Sequence, residues 1–133
     1  MGKVTRFEEL QCWIAARELT VEIYKLSATG LLSKDYATKN QIRRASLSIM
    51  NNIAEGFTRF SKKEFIRFLE IGQSSGGEVK SMIYLMDDLN YFDKNTISRL
   101  HRKVDKARNM TLGMLKYLKK KLDEEQSHKK NKK

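Results

Sequence analysis

No proline occurs anywhere in the 133 residues. Proline fixes φ, lacks a backbone N–H and breaks a helix interior, so a chain without one is suited to long uninterrupted helices. The apolar residues agree: they recur at helical spacing, with no strand-like alternation and no internal repeat. Four helices are expected, at about 7–28, 36–57, 62–91 and 96–125. The breaks fall at Gly30 with Ser33, from Gly56 through Ser61, and from Asn90 through Asn95. The length is that of one domain, large enough to fold without disulfide or metal staples. The expected architecture is all-α, an antiparallel four-helix bundle over residues 1–125. Residues 126–133 form a polar segment expected to be a disordered basic tail.

The third helix has the clearest start. Ser61-Lys62-Lys63-Glu64 is a capping box, in which Ser61 accepts from the Glu64 N–H and Glu64 reaches back. Its core stripe is Phe65, Phe68, Leu69, Gly72, Gly76, Val79, Ile83 and Met86. Two glycines there cost about 1 kcal/mol each in helix propensity. Close approach of another helix offsets that, with a ligand cavity as the alternative. The fourth helix puts Ile97, Leu100, Val104, Ala107, Thr111, Met114, Leu115, Leu118 and Leu122 on one face. Arg99, Arg102, Lys106, Asn109, Lys116 and Lys120 form a basic outer stripe.

Helices one and two each carry two apolar stripes on a wheel of 100° per residue. Helix 1 has Leu10, Trp13, Ile14, Val21 and Tyr24 on one side, with Cys12, Ala16, Leu19, Ile23 and Leu26 nearly opposite. Helix 2 has Ile42, Ala45, Ile49, Ile53 and Gly56, and beside them Leu47, Met50, Ala54 and Phe57. Helix 3 carries a weaker second stripe in Ile71, Met82, Leu85 and Leu89. A bundle buries one stripe per helix, and a second stripe left in water is an exposed apolar patch that monomers seldom keep. The expectation is a homo-oligomer whose contacts include Ala16, Leu19, Ile23, Leu47, Met50 and Phe57. The alternative is a wide buried face with no partner.

The net charge is +11, from 27 Lys and Arg against 16 Asp and Glu. That favours polyanionic partners: RNA, DNA or an anionic membrane surface. Removing the tail lysines Lys129, Lys130, Lys132 and Lys133 from the +11 still leaves +7, so the folded part is basic too. No apolar run approaches the roughly 18 residues of a membrane span. The N-terminus holds no apolar signal-peptide core, and the single cysteine, Cys12, excludes an internal disulfide and a thiolate zinc site. A cytoplasmic location is expected.

Catalytic constellations are missing, and neither enzyme, cofactor nor metal is expected. The histidines are His101, flanking the core stripe of helix 4, and His128 in the tail. Glu125-x-x-His128 matches half of a di-iron bundle motif, which needs two such pairs and further inward glutamates. Asp87 and Asp88 are adjacent and point apart; Gly72, Gly76 and Gly77 lie inside a helix and form no phosphate loop. Basic clusters remain. Arg43, Arg44, Arg59, Lys62, Lys63 and Arg67, then Arg99, Arg102 and Lys106, are the expected phosphate contacts. Lys62 and Lys63 sit in the first turn of helix 3, where the dipole disfavours cations and free N–H groups suit an anion. Phe57 and Phe60 are the local aromatic side chains for base stacking. Arg44, Ser48, Asn51 and Glu55 share a polar face of helix 2, suited either to a ligand or to a hydrogen-bonded subunit contact.

The run Ser48 to Leu69, which includes Asn52-Ile53-Ala54-Glu55-Gly56 followed by Arg59, Ser61, Glu64 and Phe65, resembles a bacterial four-helix-bundle family. This is the family of proteins encoded in intervening sequences of 23S ribosomal RNA genes. Gln41 to Ala45, Phe7 to Leu10, Trp13, Ala16, Ile23-Tyr24 and the stretch from Glu78 into Leu89-Asn90-Tyr91 resemble it as well, so the likeness covers about 7–118. Met50 stands where the family often has proline, and the family's proline between helices 1 and 2 is also missing. The resemblance implies a five-fold ring. It also brings in the related accessory variability proteins of diversity-generating retroelements, which are pentameric, bind RNA and associate with a reverse transcriptase. Two functional expectations follow. The first is a non-enzymatic, RNA-binding homo-oligomer that contacts phosphates through its basic surface. The second is an accessory subunit that docks a reverse transcriptase mainly through protein contacts. The resemblance brings no catalytic residues; it marks Asn52, Glu55, Gly56, Arg59 and Ser61 as family positions.

Overall fold

The computed structural model describes residues 3–131. Four helices carry the fold: α1 Gln11–Ser27, α2 Tyr36–Thr58, α3 Lys62–Asp88 and α4 Lys94–Asn131. Short 3₁₀ turns at Phe7–Glu9 and Leu32–Lys34 precede α1 and α2. Each helix packs on two neighbours, in the cyclic order α1, α2, α3, α4 and back to α1. Paired residues give the directions. Ser27 meets Arg43 while Thr20 meets Ser46; Ser48 meets Ser75 while Gly56 meets Phe68; Lys80 meets Asp105 while Lys62 meets Glu125. In each pair one number rises as the other falls, so successive helices are antiparallel.

The helix ends follow from local chemistry. Asp35 caps α2 by accepting from the Thr38 N–H at 3.1 Å, and its other oxygen accepts from the Tyr91 hydroxyl at 2.8 Å. Those bonds hold the Asp35 carboxyl below its ordinary value, the Thr38 backbone N–H contributing most. Ser61 caps α3 by accepting from the Glu64 N–H at 3.3 Å, which is the first half of the expected capping box. Asn90, at φ +57°, closes α3 with the paired bonds Asn90 N–H to Asp87 and Tyr91 N–H to Met86. The first helix starts later than expected because Leu10 is extended (φ −72°, ψ 126°). The turn before it lays Phe7 edge-on against Trp13, with centroids 5.2 Å apart, and buries Leu10. The fourth helix runs past Glu125 to Asn131, through residues that the sequence suggests are disordered. The stretch Lys116–Lys130 has neither glycine nor proline to stop it, and its final lysines complement the helix dipole. Lys132 and Lys133 of the expected tail lie outside the described residues.

The core decides between the two stripes of α1. Cys12, Ala16, Leu19 and Ile23 lie at 2% exposure or less, inside the subunit, with Ile42, Ile49, Ile53, Leu69, Val79, Ile83, Leu100 and Val104. Ala16, Leu19 and Ile23 are therefore core residues and not a subunit contact. The other stripe is largely covered too: Leu10 and Trp13 are buried, Ile14 and Tyr24 half-buried, and Val21 exposed. On α2, Met50, Ala54 and Phe57 pack against the core, as do Val4 and Phe7 of the N-terminal segment, and Leu47 is half-buried. Most of the second stripe on these two helices is therefore covered within the subunit. Beside Val21 of α1, apolar exposure falls at Ile71 and Leu85 of α3 and at Leu89, its C-cap, each at least 40% exposed.

Two glycines show why the helices can approach. A Cβ on Gly56 would lie 2.8 Å from Phe68 Cβ and 2.9 Å from the Phe65 ring, both close to fixed backbone. Gly76 differs from the expectation of helix-to-helix contact, because the Arg108 stem lies across it, 2.8 Å from where a Cβ would stand. Gly113 has open space around it. Gly113→Ala is therefore expected to raise stability by about 1 kcal/mol, and Gly56→Ala to lower it by about 1–3 kcal/mol. Thermal unfolding of the two variants should shift in opposite directions.

Candidate nucleic-acid interface

The long fourth helix presents its charge on one side. Ile97, Leu100, Val104, Ala107, Thr111, Leu115 and Leu118 are buried, which turns Arg99, Arg102, Lys106, Asn109, Lys116 and Lys120 outward, all exposed. From Arg102 to Lys120 this face runs for about 27 Å at 1.5 Å per residue. It carries no carboxylate. Asp105 turns toward α3 and pairs with Lys80 at 2.6 Å. Arg99 is tied to Glu22 of α1 at 2.6 Å. Among the described residues Arg102, Lys106, Lys116 and Lys120 have no ion-pair partner. Four uncompensated cations in a row give a field that attracts a polyanion.

The remaining expected contacts do not join that face. Arg43 is half-buried and structural: its Nε donates to Ser27 Oγ at 2.6 Å and its guanidinium lies 4.6 Å over the Tyr24 ring, tying α2 to α1. Arg44 is exposed on α2, which does not neighbour α4. It shares its polar face with Ser48, which bonds Ser75 of α3 at 2.8 Å, so part of that face is an internal helix contact. Arg59, Lys62, Lys63 and Arg67 gather at the corner where α2 passes to α3. There Arg59 pairs with Glu55 and Arg67 with Glu64, both at 2.8 Å, and the two guanidinium groups cover the Phe68 ring at 5.2 and 4.5 Å. The Arg67 hydrogen bond holds the Glu64 carboxyl below its ordinary value. Lys62 reaches Glu125 at 2.6 Å, so its place in the first turn of α3 serves a tie to α4. Lys63 has no ion-pair partner among the described residues. Lys116 and Lys120 were legible on the wheel as outer-stripe residues, yet did not stand among the expected contacts.

Other reactive groups are quiet. Burial pushes the Cys12 thiol up to about 11, so a thiol reagent at pH 8 should label the native protein far more slowly than the denatured chain. His101 packs against Tyr84 with ring centroids 4.6 Å apart and planes tilted by 52°, and burial, then the nearby Lys80, lower its pKa. Glu125 of the Glu125-x-x-His128 spacing is engaged by Lys62. Among the described residues, no three His, Cys, Asp or Glu side chains are grouped to hold a metal ion, and no helix is long and apolar enough to cross a membrane.

A sequence model for 23S rRNA-intervening sequence proteins matches residues 8–113. The chain belongs to this family. A crystal structure at 1.70 Å of a protein of unknown function from the S23 ribosomal protein family, from Bacteroides thetaiotaomicron, has the same fold. It superposes with a TM-score of 0.73 at 20% identity, over 79% of this chain and 95% of that one. No curated protein matches the chain. In this intervening-sequence protein the family-marked positions build the α2–α3 corner. Asn52 donates to the Ser48 carbonyl at 2.7 Å, Glu55 holds Arg59, Gly56 admits the two phenylalanines of α3, and Ser61 caps it. These positions shape the corner and cap α3, and the unpaired cations of the outer stripe lie on α4.

Proposed function

We propose that this member of the 23S rRNA-intervening sequence family is a non-enzymatic RNA-binding protein of the cytoplasm that acts as a homo-oligomer. One observation carries the reading: the outer face of α4 is exposed, basic and free of carboxylates. Each cation that meets a phosphate releases condensed counterions, and this electrostatic gain is sequence-independent. Copies of the face in one assembly raise the effective concentration of sites along a single RNA. Five subunits is the number the family resemblance implies. The contact between them is assigned to Ile71 and Leu85 of α3 with its C-cap Leu89, because most of the stripes of α1 and α2 are used inside the subunit. Tyr117, exposed between Lys116 and Lys120, is an aromatic side chain on this face, and with a single ring among several cations recognition is chiefly of charge and shape.

Lysine acetylation with and without a structured RNA, read by mass spectrometry, tests the reading. RNA should protect Lys106, Lys116 and Lys120 and leave Lys34 and Lys39, at the α1–α2 connection, unprotected. Equal labelling with and without RNA at all five would remove α4 as the binding face.

A further inference from the structure

The α2–α3 corner holds a side chain that the fold does not use. Phe57 and Phe65 pack edge-on with centroids 6.0 Å apart, and both lie against the core. Phe60, between them in sequence, is 91% exposed and has φ +55°. Among the described residues the other left-handed ones are Gly30 and Asn90, types that adopt this conformation readily. A phenylalanine there is strained and gains no burial, so nothing within the subunit favours it over glycine. It lines a concave surface together with Phe57, Phe65, Lys3 and Lys62. Arg59 and Lys63 flank the same turn.

We infer that Phe60 is a stacking platform for one unpaired nucleobase, with the ammonium groups of Lys3, Lys62 and Lys63 on the neighbouring phosphates. The inference rests on the RNA-binding reading and sharpens it, because the α4 face meets phosphates whether or not the bases are paired. Complementarity of charge selects this occupant. A ring amid cations fits a base, which offers a π-face between two phosphates. A two-fold contact of this corner with itself would bring the same cations to face their like. A single protruding ring also falls far short of the roughly 800 Å² that each partner buries in a stable protein interface. A phosphate on Lys62 competes with Glu125, so that ion pair opens as the strand binds.

Phe60→Gly suits the left-handed backbone and keeps the fold, so it removes the ring alone. Binding of a short labelled single-stranded RNA and of its duplex is then measured by fluorescence anisotropy for wild type, Phe60→Gly and Phe60→Trp. Loss of the ring should weaken the single strand about tenfold and leave the duplex and its salt dependence unchanged. The tryptophan variant should bind the single strand at least as well as wild type, and its emission should be quenched over the constant signal of buried Trp13. Wild-type affinity of Phe60→Gly for the single strand overturns the inference while leaving the RNA-binding reading standing. Absence of binding by the wild type to either RNA form overturns both. If Phe60→Gly instead lowers the sedimenting mass, Phe60 is a subunit contact and the inference falls.

Discussion

Leu19→Ala is expected to lower the unfolding free energy of the subunit by about 2–5 kcal/mol, without first releasing subunits from one another. Leu19 is fully buried, between Ala16 and Ile23 on the inward stripe of α1. Truncation removes three heavy atoms and leaves a cavity that neighbouring helices fill only in part. Against a total stability of order 5–15 kcal/mol, the loss is large. Guanidinium unfolding should show an earlier midpoint with an unchanged slope. Leu85→Ala is the contrasting variant. Leu85 is 44% exposed, so truncation there should scarcely move the midpoint and should lower the sedimenting mass. A Leu19→Ala protein that unfolds like wild type but sediments as a smaller species would put α1 at a subunit interface after all.

The triple charge reversal Arg102→Glu, Lys106→Glu, Lys116→Glu is expected to weaken RNA binding at least a hundredfold near physiological salt. Each reversal deletes one phosphate contact and adds a repulsion, and each contact carries close to one unit of the log–log salt slope. The folded state should be indifferent. The three side chains are exposed, none has an ion-pair partner among the described residues, and glutamate matches lysine and arginine in helix propensity. The double variant Arg59→Glu, Arg67→Glu should behave in the opposite way. Those guanidiniums already pair with Glu55 and Glu64 and cover Phe68. Reversing them should harm thermal stability more than affinity.

The parts of the fold set by neighbours in sequence were legible. The Ser61 cap, the inward stripes of α3 and α4 and the basic outer stripe follow from spacings of three and four residues. What could not be read was set by residues far apart in the chain. A wheel gives the angle of a side chain and not its depth, so the two stripes of α1 looked like core plus interface. In the fold, the inward stripe is core and α2, α4 and the N-terminal turn cover most of the other. Arg43 looked like a surface cation because its partners, Ser27 and Tyr24, belong to another helix. The tie between Lys62 and Glu125 could not be read, because Glu125 lies at the far end of α4 in sequence. Gly76 was legible as a close approach, but the approaching group is the stem of Arg108. The end of α4 was missed for the opposite reason: a polar, charged segment reads as disorder, yet it continues a helix that nothing interrupts.

The most direct test of the central claim is the affinity of the wild-type protein for a structured RNA across a salt series. With α4 as a row of free cations, log affinity should fall linearly with log salt, with a slope on the order of several units, and binding should persist at physiological salt. Failure to bind above about 100 mM salt, where weak nonspecific contacts fade, would contradict the account and make the charge of α4 a matter of solvation.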